Sequence, residues 1–373
     1  MVDLYARMQK IRVCHFYSGN RFGGLEKFLL NIKEFEKFNE NVEHVFCLTF
    51  EGQLSRCLQE KLANVKIINV EKISNLFQVF LFFFKFIIYL RSEKIDLVVS
   101  HEVWNYILAY LPTRLLRIKH IIWSHTSFFS ISLYKFLDFF KPSFVICNSL
   151  HVQKLMVERW EFSNIKTLYC PHPIFSIPQR KVRNEKMTIL YLGRLAEYKG
   201  LEILVKAAVK LKDLNFEIHV VGEVQSQAEK IFFEKVQKIV KENGLTEIVK
   251  FLGSRTNVQE CYEKADIFCH PNTEPEAFGL VFIEALSVGL PVIATDIGGA
   301  KEIFSRAKQA IGELVPPKDS DALALALRKY IENPKLIAEG AEHAHFVARS
   351  FCEPKAAMEQ MENVFTSLVE KSN

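Results

Sequence analysis

Two carboxylates, Glu276 and Glu284, lie with seven residues between them in the stretch 272–299, NTEPEAFGLVFIEALSVGLPVIATDIGG. Between them the chain turns at Phe278-Gly279 into an apolar helical pattern (Val281, Phe282, Ile283) that carries Glu284. One carboxylate therefore belongs to a loop and the other to the helix that the loop feeds. A helix N-terminus offers unpaired N–H groups and the positive end of the peptide dipole, a site suited to a diphosphate. Gly279, with no side chain, lets the backbone approach such a group closely. The plain alternative is a glutamate pair on a solvated helix face. That alternative explains neither the loop-plus-helix arrangement nor the apolar residues between the two.

Cations form a second set. Gly193-Arg194-Leu195, followed by Lys199-Gly200, comes directly after a strand-like run at 188–192. The carboxyl end of a strand in a doubly wound sheet is where a ligand crevice belongs. Taken alone, an arginine and a lysine after a strand are ordinary surface residues. Gly23-Gly24 follows the first strand pattern, where a glycine pair marks a turn. His125 ends the run HIIWSH and His101 ends VVSH. A single histidine is most often structural, and the position of His125 makes it the stronger candidate for chemistry.

The stretch 272–299 resembles the E-x7-E pattern of the retaining GT-B glycosyltransferases, family 4 in particular, in the form E-x-F-G-x-x-x-x-E-A followed by G-x-P-V-x-A and G-G. The resemblance implies that Glu276 stands beside the donor sugar and the reacting centre, and that Glu284 binds the ribose hydroxyls. The backbone of Phe278, Gly279, Leu280 and Val281 would contact sugar and pyrophosphate. Gly193-Arg194-Leu195 with Lys199-Gly200 resembles the family's G-R-L…K-G motif, which implies that Arg194 and Lys199 neutralise the departing nucleotide diphosphate. Gly23 and Gly24 match its glycine-rich loop against the donor phosphate and the transferred sugar, and His125 matches its sugar-contacting histidine. Val220-Val221-Gly222-Glu223, Phe251-Leu252-Gly253 with Arg255, and Glu302 are further family-like pieces, which the resemblance implies would shape the base and ribose pocket. One departure stands near the link between domains: Pro171-His172-Pro173 replaces the Asn-Gly pair that follows a proline in many relatives.

The implied function is retaining, metal-independent transfer of a sugar from a nucleotide-diphosphate sugar to a glycan or lipid-linked acceptor, in cell-envelope polysaccharide or glycolipid synthesis, with no cofactor. Two alternatives stay open: a sugar-nucleotide epimerase of the same fold, and a non-catalytic partner subunit of another glycosyltransferase. A nicotinamide dehydrogenase is disfavoured because no G-x-G-x-x-G follows a strand pattern. A metal site is not expected, since no His/Cys/Asp cluster has ligand spacing.

The elements that position these residues alternate strand and helix. Buried-strand runs are expected at 10–16, 43–49, 65–70, 95–100, 120–124 and 144–148, and a first helix at 25–35. The turn-like Ser18-Gly19-Asn20 separates that first strand from the glycine pair. A linker of prolines and charges at 171–186 interrupts the pattern. It resumes with strands at 188–192, 217–221, 249–252, 267–270 and 291–294, and helices at 201–211, 228–243, 258–264 and 281–288. This alternation predicts an α/β protein of two Rossmann-like, doubly wound domains, and the resemblance makes it GT-B, the two facing each other across a cleft. The expected boundaries are 1–175 for an acceptor-binding domain, with the helical end 350–373 packing back on it, and 176–349 for the nucleotide-sugar domain.

A chain of 373 residues, 49% hydrophobic and 24% charged, suits two globular cores. Its eight cysteines lack C-x-x-C spacing and its asparagines lack the N-x-[ST] context, so a reduced, cytoplasmic compartment is expected. The formal charge of +5 is uneven: residues 1–172 carry 22 Lys+Arg against 15 Asp+Glu, the remainder 26 against 28. Phenylalanine is abundant, at 32 residues. Residues 76–90, LFQVFLFFFKFIIYL, fall short of the ~20 residues of a membrane span and read as a buried helix, with contact to an anionic membrane surface as the other reading. A second aromatic stretch, 127–141, lies in the same basic half. No basic stripe interleaved with aromatics points to nucleic acid.

Overall fold

The computed structural model describes residues 10–19, 23–68, 76–126, 135, 137–160, 162, 164–178 and 186–370. Outside these lie Asn20 of the first turn, the end of the strand expected at 65–70, most of the aromatic stretch 127–141, and most of the charged linker. The chain divides into two compact units, residues 1–173 with 352–373, and residues 174–351.

The first unit is a parallel sheet. Strands β1 (Ile11–Tyr17), β2 (Val42–Leu48), β3 (Asn64–Ile67), β4 (Leu97–His101), β5 (Lys119–Ser124), β6 (Val145–Cys147) and β7 (Ile165–Thr167) lie in the order β3-β2-β1-β4-β5-β6-β7. Helices α1 (Gly24–Phe35), α2 (Gln53–Glu60), α3 (Leu76–Ser92), α4 (Val103–Leu116) and α5 (Leu150–Trp160) supply crossovers. Strand β4, LVVSH, is buried at every position, as a strand covered on both faces must be.

The second unit repeats the scheme. Strands β8 (Met187–Leu192), β9 (Phe216–Val221), β10 (Val249–Gly253), β11 (Ile267–His270), β12 (Val292–Thr295) and β13 (Gly312–Val315) run in the order β10-β9-β8-β11-β12-β13, all parallel. Between them lie α6 (Leu201–Val209), α7 (Gln227–Glu242), α8 (Val258–Lys264), α9 (Leu280–Ser287) and α10 (Gly299–Ser305), followed by α11 (Ser320–Glu332) and α12 (Lys335–Cys352). This is the doubly wound order, with its reversal between β8 and β11. Both units are thus Rossmann-like, doubly wound sheets, as the alternation of strand and helix patterns predicts.

The last helix, α13 (Pro354–Glu370), belongs to the first unit. Pro354 opens it where no N–H is needed, and Glu353 caps it by accepting from Ala356 N at 2.8 Å. Glu362 then accepts from the backbone N–H groups of Glu40 and Asn41 at 2.9 and 2.7 Å, and Phe365 is fully buried.

Helix α3 corrects the expectation of a buried helix. Phe82, Phe86, Tyr89 and Leu90 enter the core, but Leu76, Phe77, Phe80 and Ile88 are 87%, 72%, 61% and 66% exposed. A helix lying on one face of a sheet buries only one stripe, and this sequence is apolar on both sides. Helix α4 packs beside it and adds exposed Leu111 and Leu115. Among the described residues no helix is long and apolar enough to cross a membrane. The eight cysteines, all within the described residues, form no disulfide.

Candidate functional site

The reversal of strand order in the second unit leaves the carboxyl ends of β8 and β11 side by side, and the two predicted motifs emerge there. From β8 the chain passes Gly193 and Arg194 and makes one short 3-10 turn, Glu197–Lys199. From β11 it passes His270, Pro271 and Asn272 and reaches Glu276 before α9. The two segments are joined by Thr273 N donating to Tyr198 O at 2.8 Å. Gly200 makes this contact feasible: its φ is +78°, and a Cβ there would stand 1.7 Å from the Pro271 carbonyl oxygen. The glycine after Lys199 is thus required by the approach of one loop to the other.

The outcome is an ion pair in which Lys199 Nζ lies 2.5 Å from Glu276 Oε2. Asn272 Nδ2 donates to the same oxygen at 3.1 Å, and both charged side chains are largely covered, at 15% and 24% exposure. Burial acts to raise the Glu276 pKa, but Lys199, His270 and Asn272 outweigh it and hold the carboxyl below its usual range. Arg194 is fixed separately: Nη2 donates to Tyr198 OH at 2.7 Å and Nε lies 3.0 Å from Glu229 Oε1. The Tyr198 ring lies under both cations, 5.6 Å from the Arg194 guanidinium and 5.5 Å from Lys199 Nζ. Two cations and a carboxylate thus share one loop cluster at the switch point.

Glu284 lies on α9, 2% exposed, with Oε2 accepting from Tyr262 OH at 2.7 Å. Gly279 caps that helix at φ +90°, and a Cβ would stand 2.4 Å from the Phe282 ring, so the residue is fixed by its own backbone as well as by any close approach. Gly299 N, at the start of α10, donates to Glu276 O at 2.8 Å and pins the loop. Phe278 is buried, while Leu280 and Val281 are half-buried at the helix start. Gly253 ends β10, with its carbonyl accepting from Gly222 N at 3.0 Å, and Arg255 is exposed just beyond.

The first unit holds the remaining candidates. Gly23 caps α1 and Gly24 opens it, both exposed. His125 follows β5, half-buried, its Nε2 3.0 Å from His101 Nδ1. His172 is buried, accepts at Nδ1 from Asn31 Nδ2 at 2.9 Å, and donates its backbone N–H to Cys352 O.

Some residues of interest escaped sequence reasoning. His270 ends β11, is 1% exposed, and stacks on Tyr191 at 4.9 Å. Neither ring nitrogen has a partner among the described residues, nor does Asn272 Oδ1. Burial pushes the His270 pKa down to about 3. In the first unit Glu102, just after β4, has φ +76° and ψ +155°, a conformation that strains any residue but glycine. Its Oε1 accepts from His125 N at 2.9 Å, and burial raises its pKa to about 7. A carboxyl directly after a strand-ending histidine was the available signal.

Comparison with known proteins bears on the family and the fold. The family model described as Glycosyl transferases group 1 matches residues 175–345, and the one described as Glycosyltransferase Family 4 matches residues 22–174. A phosphatidyl-myo-inositol mannosyltransferase of Mycobacterium leprae is 32% identical over 169 residues, which are 42% of this chain and 41% of that protein. The match thus spans less than half of that relative's length. Among solved structures, a glycosyltransferase of Rickettsia africae superposes with a TM-score of 0.85 at 19% identity, covering 96% of this chain and 99% of that one. Anabaena HepE in complex with UDP and glucose superposes with a TM-score of 0.81 at 21% identity, covering 96% and 100%. Sequence motifs, two doubly wound sheets and family models covering both units lead to one conclusion: the chain belongs to glycosyltransferase family 4 and has the GT-B fold.

Proposed function

We propose that this protein transfers a hexose from a nucleoside-diphosphate sugar to a glycan or lipid-linked acceptor, with retention of anomeric configuration and without a metal ion. The observation that carries the reading is the Lys199–Glu276 pair beside Arg194 at the β8/β11 switch point. In this reading Arg194 and Lys199 supply the positive charge that a divalent metal supplies in other transferases, stabilising the diphosphate as it leaves. Glu276, held ionised by Lys199, positions the sugar and stabilises positive charge developing at its anomeric carbon. The acceptor hydroxyl attacks from the face that the diphosphate leaves, and its proton passes to the departing phosphate oxygen. Glu284 binds the ribose, Gly253 and Arg255 border the base pocket, and Gly23, Gly24 and His125 of the first unit contact phosphate and sugar.

Support for the donor class comes from the Anabaena structure, which holds UDP and glucose, and from the mannosyltransferase relative. The name of that relative, a phosphatidyl-myo-inositol mannosyltransferase, also supports a lipid-linked acceptor. Exposed apolar side chains on α3 and α4, next to the basic Arg91, Arg114 and Arg117, support peripheral contact with an anionic membrane on its cytoplasmic face. A thermal-shift panel of nucleotide sugars tests the donor assignment, because a ligand of the folded state raises its stability by about 2.7 kcal/mol at 100 times Kd. A rise in melting temperature with at least one nucleotide sugar, absent in Lys199→Met, is expected. No shift with any of them contradicts the proposal.

A further inference from the structure

Four histidines of the first unit are joined end to end. His44 Nδ1 lies 2.9 Å from His15 Nε2, His15 Nδ1 lies 3.0 Å from His101 Nε2, and His101 Nδ1 lies 3.0 Å from His125 Nε2. They come from the neighbouring strands β2, β1, β4 and the end of β5, and the sheet register explains the alignment. His44 pairs with Val13, His15 with Val99, and His101 with Trp123. Each next histidine therefore stands two residues beyond the register partner of the one before. A step of two keeps all four on the same face of the sheet.

The chain of bonds has a direction. Asn39 Nδ2 donates to the backbone carbonyl of Met358 on α13 at 2.8 Å, and a carbonyl can only accept. Asn39 Oδ1 is thereby turned to His44 and accepts from His44 Nε2–H at 2.6 Å. A neutral imidazole carries one donor and one acceptor, so His44 Nδ1 accepts from His15 Nε2–H. In the same way His15 Nδ1 accepts from His101 Nε2–H, and His101 Nδ1 accepts from His125 Nε2–H. His15, His44 and His101 are 0%, 3% and 0% exposed, packed with Phe28, Phe46, Trp123 and Phe365. Burial pushes all four rings toward the neutral form. The charged groups at the ends of the chain are Lys10 and Lys33 toward His44 and Glu102 at the His125 backbone.

We propose that Asn39, His44, His15 and His101 are positioning residues that lock His125 as the Nε2–H tautomer, so that its Nδ1 lone pair is presented as an acceptor for a hydroxyl of the transferred sugar. The inference rests on the reading of His125 as a sugar contact. Among the described residues none bonds His125 Nδ1. It is also the one ring position in the chain that takes up a proton without breaking a histidine–histidine bond. The opposite tautomer would offer an N–H there, and the hydroxyl oxygen could then only accept. The buried residues thus set the direction of the hydrogen bond that the half-buried one makes.

The test is nitrogen NMR of the full chain labelled at histidine, with His101→Phe as the interrupted relay and His101→Gln as its conservative rescue, since an amide both donates and accepts. At neutral pH the unmodified protein is expected to show His125 with a bare Nδ1 and a protonated Nε2. His101→Phe is expected to mix the tautomers and lower kcat about tenfold at little-changed donor KM, and His101→Gln to restore both within about threefold, the scale of one neutral hydrogen bond. A protonated Nδ1 in the unmodified protein overturns the proposal whatever the variants do. So does an unchanged His125 tautomer, or unchanged turnover, in a folded His101→Phe. If the tautomer is as stated but no nucleotide sugar supports transfer by the unmodified protein, the assignment of function fails, and with it the sugar as partner of Nδ1.

Discussion

Acid should unfold the first unit well before the second. His15, His44, His101, His120 and His125 all belong to the first unit, and burial pushes each of them down, to about 3 for His44, His120 and His125. In the second unit His270 is displaced in the same way. A histidine held neutral in the fold binds its proton readily once unfolded, near the ordinary value of 6.5. The unfolded state therefore takes up more protons, and stability falls as pH falls below 6.5 and continues to fall toward the folded values near 3. Each such histidine contributes about 1.4 kcal/mol per pH unit once fully titrated in the unfolded chain. Five of them lower the stability of the first unit by about 6 kcal/mol per unit near pH 5.5, and Glu102, whose raised pKa acts in the opposite sense, offsets about 1.4 kcal/mol per unit of this, leaving a net loss on the order of 10 kcal/mol by pH 4.5. A loss of that size is comparable with the whole stability of a domain, about 5–15 kcal/mol. All three tryptophans, Trp104, Trp123 and Trp160, lie in the first unit, so their fluorescence reports on it alone. Fluorescence is expected to change cooperatively between about pH 4.5 and 6, with the far-UV circular dichroism completing its loss at lower pH. Native tryptophan emission persisting at pH 4 would refute the reasoning, as would uptake of fewer than two protons in the transition.

Other perturbations have equally definite outcomes. Lys199→Met strands the Glu276 carboxylate and is expected to cost about 2–4 kcal/mol in urea unfolding, with Lys199→Met/Glu276→Gln recovering at least half of that; additive costs would show the pair to be uncoupled. Gly200→Ala places a methyl group 1.7 Å from the Pro271 carbonyl at φ +78°, so a loss of about 3 kcal/mol with a lower transfer rate is expected, and a neutral change in both would contradict the close approach. Glu102→Gln removes a carboxyl whose raised pKa, about 7, makes the fold less stable as pH climbs from the unfolded value through 7. The variant should therefore gain on the order of 2–3 kcal/mol over the parent at pH 8 and nothing at pH 4, and an equal gain at both values would exclude titration of Glu102 as the cause. Replacing Phe77, Phe80 and Ile88 together by serine should abolish sedimentation with anionic vesicles while changing the melting temperature little; retained binding would remove α3 as the membrane face.

The alternation of apolar runs and helical patterns was enough to place most strands within one or two residues, because strands of a doubly covered parallel sheet are apolar throughout. The edge strands β7 (IKT) and β13 (GELV) escaped because each is only three or four residues long and too polar to form an apolar run. In the second unit the site is local, one loop after each of two adjacent strands, so Arg194, Lys199, Glu276 and Glu284 were readable as spaced motifs. His15 and His44 were not, since their relation to His101 and His125 exists only through the register of four strands. Helix α3 misled for a different reason: an apolar sequence does not say which of its faces is covered.

Release of the nucleoside diphosphate is the most direct test of the donor site. Each member of a panel of nucleoside-diphosphate hexoses would be incubated with the protein, with and without lipid-linked acceptors, and release of the diphosphate followed alongside transfer of labelled sugar. The account predicts release and transfer in equal amounts from at least one donor, with a loss of about a thousandfold in Glu276→Gln, the scale on which a preorganised charge stabilises a transition state. Turnover by Glu276→Gln at the rate of the unmodified protein would contradict it.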